Sequence, residues 1–200
     1  MEIPLQVARF VFGLRVLDPI TLCGFAGAAL RGGLGYALRD EFCATGRPAC
    51  NGCSLREECA CAYLFETTDP RRGAGPGPGE SAPHPFVLEP PTGDALLQPG
   101  QRFEVGLVLV GRAIALIGHV ARAFERFGQA GLGREHAKFT VESVENVAAD
   151  GRRSIVLESG GSMLIPPHHI YDWADFRRRA DTLWGTRLPR EEAAVEIEFA

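Results

Sequence analysis

The chain has 200 residues, of which 46% are hydrophobic and 23% charged, and a formal net charge of −4. That apolar content supports a packed core and excludes a chain that is disordered throughout. The acidic balance excludes indiscriminate nucleic-acid binding, so any such role must come from a local patch built by the arginines and the single lysine, Lys138.

Residues 1–17 carry Arg9 and Arg15 within their apolar run, which excludes a signal peptide and a membrane span. A cytoplasmic protein with no membrane partner is the default expectation. Leu5 to Leu17 alternates, with Ala8, Phe10, Phe12 and Leu14 on one side and Val7, Arg9, Val11 and Gly13 on the other, and is predicted as a long strand. Asp18-Pro19 then leads to a predicted helix whose apolar residues Phe25, Ala26, Ala29, Leu30, Leu34, Ala37 and Leu38 form one stripe. Arg31, Gly35 and Arg39 share another face. Two rigid, always-charged guanidiniums beside bare glycine backbone can hold the phosphates of an extended strand, or can form an ordinary solvated face. Glycines at positions 32, 33 and 35 each cost about 1 kcal/mol in a helix interior relative to alanine. Something must therefore pack on, or bind to, that backbone.

The helix runs into a cysteine-rich segment, Cys43-x6-Cys50-x2-Cys53-x5-Cys59-x-Cys61, with Cys23 lying outside it. Two thiolates separated by a two-residue turn reach one tetrahedral ion, and two flanking cysteines close the site. Cys43, Cys50, Cys53 and Cys59 are the expected ligands, with Cys61 competing for the fourth place. Four thiolates without histidine suit structural zinc, while an iron–sulfur cluster uses the same ligand type. A reducing compartment favours metal over disulfides. A closed four-ligand site leaves no position for substrate, so the chemistry is expected elsewhere.

Residues 67–85 are rich in glycine and proline and are predicted as a flexible loop. His84, between two prolines at its end, is either an exposed loop residue or a general acid or base. Phe86 to Glu89 and Arg102 to Val110 are predicted strands, the second with Phe103, Val105, Leu107 and Leu109 on one face. Arg112 to Phe127 is predicted as an amphipathic helix with Ala113, Ile117, Val120, Ala121 and Phe124 on its apolar face. Its Arg112, His119, Arg122 and Arg126 share the other side as a basic ridge. The glycine-rich turn at 128–133 exposes backbone N–H groups beside Arg134 and Lys138. Lys138 to Val147 and Arg153 to Glu158 form a hairpin around Asp150-Gly151. His168 and His169 read as surface residues, Asp172 to Leu183 as a short helix exposing Arg177, Arg178 and Arg179, and Ala194 to Phe199 as a further strand.

This order of elements is an α+β, ferredoxin-like (RRM-like) β-α-β-β-α-β domain over residues 1–190, with a metal-loop insertion at 43–61 and an added hairpin. Residues 191–200 read as the start of a second domain. The fold alone decides no function.

The combination of FAGAALRGGLGYALRD, a cysteine-rich segment ending in CAYLFE, then HPFVLEPP, GLVLVGRA and GQAGLGREHAKF resembles the CRISPR repeat-processing endoribonucleases of the RAMP superfamily. The resemblance implies tandem ferredoxin-like domains and metal-independent RNA cleavage, in which a ribose 2′-hydroxyl attacks the adjacent phosphate to leave a 2′,3′-cyclic phosphate. Such chemistry needs a base, an acid and cations around the phosphate. Family members with a histidine base commonly carry it in or near the first helix, where this chain has none. The expected catalytic candidates are therefore Arg31, Tyr36, His84 and His119, with Arg31, Arg39, Arg112, Arg122, Arg126, Arg134 and Lys138 on the RNA. The expected partners are CRISPR repeat RNA and other CRISPR effector subunits, with no DNA. The competing expectations are a noncatalytic RNA-binding subunit of a CRISPR ribonucleoprotein and a zinc-stabilised protein-interaction module.

Overall fold

In the computed structural model the alternating apolar residues of the first strand build the centre of a sheet. The structure describes residues 5–22, 24, 26–47, 50–67, 83–158, 165–172 and 174–175. Strand β1 (Val7–Val16) buries Ala8, Phe10, Phe12, Leu14 and Val16 on one face. It pairs antiparallel with β5 (Arg102–Val110) on one side and β6 (Phe139–Val147) on the other. β3 (Phe86–Glu89) pairs with β5, and β7 (Arg153–Glu158) with β6, giving the order β3-β5-β1-β6-β7. Without β7, this antiparallel arrangement is that of the ferredoxin-like fold, and β7 is the expected extra hairpin strand. Its turn closes through Gly151 N–H to Ala148 O at 2.9 Å, with Gly151 at φ 88°.

Helix α1 (Gly27–Phe42) and helix α3 (Ile117–Ala130) share the apolar face of the sheet, joining one hydrophobic cluster with β1 and β5. The predicted apolar residues of α3 are all buried, and Phe124 stacks on Phe12 with ring centroids 4.2 Å apart. On α1, Leu30, Leu34, Ala37 and Leu38 are buried as expected, but Ala29 is exposed because the stripe is narrower than predicted. The helix predicted from Arg112 begins as a 3-10 turn, Gly111–Leu116, and becomes α-helical only at Ile117.

Three short elements escape the sequence patterns. β2 (Ile20–Leu22) lies between β1 and α1 and pairs with β4 (Ala95–Leu97) as a separate ribbon. Three residues each are too few to show a period. Helix α2 (Ala60–Phe65) follows the cysteine segment and buries Cys61, Ala62 and Leu64. The helical glycines also divide by role. A Cβ on Gly33 would stand 2.1 Å from the Phe127 ring, and one on Gly35 would stand 2.9 Å from Phe65 Cε1, whereas one on Gly32 would meet nothing within 4 Å. Two of the three glycines thus admit packed rings. Most of the expected helix from Asp172, its three arginines, the strand at Ala194, most of the 67–85 loop, Cys23 and Phe25 lie outside the described residues.

Candidate nucleic-acid interface

Two surfaces of this fold are open to a nucleic acid, and charge pairing separates them. On the helix-free face of the sheet, Arg9 pairs with Glu89 at 2.7 Å, Arg153 with Glu104 at 2.6 Å and Glu145 at 3.3 Å, and Glu142 with both Arg15 and Arg102. These partners hold the Glu104 and Glu142 carboxyls below their ordinary range; for Glu104 the Arg153 hydrogen bond is the main cause, and for Glu142 desolvation is the largest single influence and raises it, but the bonds and charges of Arg15 and Arg102 together outweigh it. A face tiled with matched charges and lacking stacking rings is a poor platform for single-stranded bases.

The other surface is a groove of about 1250 Å³ between α1 and the cysteine segment. That volume exceeds an ordinary small-molecule pocket and suits an extended chain. Arg31, Gly32, Tyr36 and Arg39 of α1 form one wall, the cysteine segment forms another, and His119 also lines it. Gly32 bares backbone there because no ring covers it.

Arg31 is the cation this groove leaves available. Its guanidinium lies 4.6 Å from the Phe86 ring centroid and 5.5 Å from that of Phe65. The two rings hold the cation in place, and none of its N–H donors has a hydrogen-bond or ion-pair partner among the described residues. His84 shares the same two rings, at 6.4 Å from Phe65 and 6.2 Å from Phe86. Partial burial, then the nearby Arg31 charge, push its pKa below the ordinary histidine value, so the ring is neutral at pH 7. The hydroxyl of Thr67 donates to Tyr63 O at 2.7 Å and therefore accepts from His84 Nδ1–H at 3.3 Å. The lone pair then resides on Nε2.

The remaining predicted residues divide. Arg39 lines the groove but is already engaged, donating to Arg47 O and facing Glu66 at 3.8 Å. Tyr36 lines it with 83% of its surface exposed. His119 packs on Phe42 with centroids 4.7 Å apart. The expected basic ridge is not a free cationic surface: Arg122 pairs with Glu41 and Glu125 at 2.8 and 2.9 Å, and Arg126 with Asp40 at 2.6 Å. The acids of α1 that neutralise it were invisible to a helix-by-helix reading. Arg112 stacks on Tyr63 at 4.9 Å. Arg134 and Lys138 lie beyond the C-terminal end of α3, the opposite end of the helix pair from the Phe42–His119 contact.

Cys43, Cys50, Cys53, Cys59 and Cys61 all line the groove and are free thiols. Among the described residues no three candidate ligands already stand together as a metal site. The N–H of Thr45, its hydroxyl and the N–H of Gly46 favour the Cys43 thiolate. Burial and then the Glu66 carboxylate push the Cys50 thiol up, while burial pushes Cys61 up to about 12.

Residues 5–169, most of the chain, match the family described as the AF_1859_N N-terminal domain. The chain belongs to that family. Among solved structures, this AF_1859_N domain is similar to a chain in the crystal structure of the Csm3-Csm4 subcomplex of the type III-A CRISPR-Cas interference complex. The match has 15% sequence identity and a TM-score of 0.47, over 92% of this chain and 100% of that one. No curated protein sequence matches it.

Reading the sequence missed Phe65, Phe86, Thr67 and Glu66 as parts of the AF_1859_N site. The first two stood inside the motifs CAYLFE and HPFVLEPP, where each reads as core. Only the approach of α2 to β3 turns their rings toward Arg31.

Proposed function

We propose that this domain is a CRISPR-associated RNA-binding protein that holds repeat RNA along the α1 groove and cuts it without metal. The assignment to CRISPR repeat RNA rests on the motif resemblance to RAMP endoribonucleases. The single observation that carries the site is Arg31, in cation–π contact with both Phe65 and Phe86 and with its donors unclaimed among the described residues, beside a neutral His84. Arg31 binds the scissile phosphate. His84 Nε2 takes the proton of the adjacent 2′-hydroxyl, whose oxygen forms a bond to phosphorus. The bond from phosphorus to the 5′-oxygen breaks, leaving a 2′,3′-cyclic phosphate, and the departing oxygen takes a proton from water. Arg31 stabilises the charge that accumulates on the phosphate oxygens. Other CRISPR effector subunits are the expected protein partners and the cytoplasm the expected compartment; no helix among the described residues is long and apolar enough to cross a membrane.

One observation favours a noncatalytic RNA-binding subunit instead. His119 packs on Phe42 whereas His84 packs on Phe65 and Phe86, so no second histidine contacts His84 to serve as acid. Incubation with labelled repeat RNA in buffer free of added divalent cations separates the readings. Binding with cyclic-phosphate products supports the nuclease, and binding without products supports the subunit. No binding by either measure rejects the groove as an RNA site.

A further inference from the structure

From Cys43 to Cys59 the described chain forms turns but no helix or strand: Cys53 N–H bonds to Cys50 O, Arg56 N–H to Cys53 O and Glu58 N–H to Leu55 O. In this stretch only Cys50 is buried, at 8% exposure, and Leu55 faces solvent. A segment of this length with no apolar core of its own needs a covalent or metal staple to hold one shape. Its cysteines are free thiols and face one groove. Cys43 and Cys53, ten positions apart, each approach the same hydroxyl, Thr45 Oγ1, at 3.8 Å. Gly52, at φ 70°, makes the tight turn that sets Cys50 and Cys53 on one side.

We propose that Cys43, Cys50, Cys53 and Cys59 bind one structural zinc ion that fixes the cysteine segment as the wall of the groove. Four sulfur donors and no nitrogen or oxygen ligand match a closed tetrahedral zinc site. The ion joins the end of α1, through Cys43, to the start of α2, through Cys59, and rotation of the thiols toward one centre completes it. Cys61, whose thiol also lies near Cys59, Cys43 and Cys50, is left out of the ligand set because its S–H already has a backbone partner. It is buried at 6% exposure in the core and donates its S–H to Leu38 O at 3.1 Å, which ties α2 to α1 instead. Cys59 precedes α2, is only half-buried and lines the groove. The spacing alone left these two cysteines in competition; packing separates them.

Metal analysis of the intact chain, purified from zinc-supplemented cells, tests the proposal without RNA. It predicts one zinc per chain, and replacement by cobalt(II) should give the thiolate charge-transfer and tetrahedral bands of a four-sulfur site. Cys61→Ser should keep the full equivalent of zinc, and Cys59→Ser and the double variant C50S/C53S should each lose it. Far-ultraviolet circular dichroism distinguishes loss of metal from loss of fold; should the variants fail to fold, the cobalt spectrum of the unaltered chain still decides. A folded, metal-free protein, an iron–sulfur chromophore, or zinc retained by Cys59→Ser and lost by Cys61→Ser would overturn it.

Discussion

Arg31 differs from most other arginines here in what surrounds it rather than in its own chemistry. Two rings contact it and no carboxylate among the described residues answers it, whereas Arg122 and Arg126, equally cationic in the sequence, are matched by Glu41 and Asp40. Arg122→Ala should therefore leave RNA affinity within twofold of wild type and lower stability by no more than about 1 kcal/mol, since its ion pairs are exposed. Competition binding and a urea titration check both halves. His84 carries a pH signature. Its folded pKa lies below the ordinary value of about 6.5, so the folded state prefers the neutral ring. The group's contribution to stability is present above the unfolded pKa and is lost as pH falls through the folded one. Cleavage by a neutral base follows the same direction. The cleavage rate should be flat above pH 7 and fall below pH 6, and His84→Gln should abolish cleavage while retaining binding. A pH-independent rate, or undiminished cutting by His84→Gln, would remove His84 from the reaction.

At the scale of elements, Gly32 and Gly33 of α1 make opposite predictions from one chemical change. Gly33→Ala drives a methyl group into the buried Phe127 ring and should destabilise by about 1–3 kcal/mol, less the roughly 1 kcal/mol that alanine returns to the helix. Gly32→Ala meets open space and should stabilise by up to about 1 kcal/mol. With about 2–4 °C in Tm per kcal/mol for a chain of this size, thermal unfolding should place Gly32→Ala above wild type and Gly33→Ala below it. The reverse order would contradict the helix packing. The sequence announced β1, α1, β5, α3, β6 and β7 because each is long enough to show its period, and Phe86–Glu89 because prolines punctuate it. It could not announce β2, β4 or α2, whose apolar residues acquire meaning only against a distant neighbour. The same limit applied to the site: Arg31 and His84 were legible as candidates, but their meeting over Phe65 and Phe86 is a tertiary fact. So is the neutralisation of the ridge on α3.

For the whole molecule, Asn146 is the polar tie that draws separate parts of the chain together. It is fully buried in β6, donates to Arg9 O at 3.0 Å and His169 O at 3.3 Å, and accepts from His169 N–H at 2.7 Å. It thus fastens the segment around His169, which pairs with Val7 through Tyr171, to the middle of the sheet. Asn146→Ala would leave buried partners unmatched and should cost about 1–3 kcal/mol, read as a lower urea midpoint with an unchanged slope. An acidic chain with one unclaimed groove arginine should also bind RNA in a salt-sensitive, locally determined way. The decisive measurement is therefore the affinity for labelled repeat RNA across a salt series, for wild type and Arg31→Ala. The groove account predicts that the variant binds roughly 10- to 100-fold more weakly, the value of a charge-assisted phosphate contact, with a slope of log affinity against log salt shallower by about 1. Equal affinity and equal slope would contradict it.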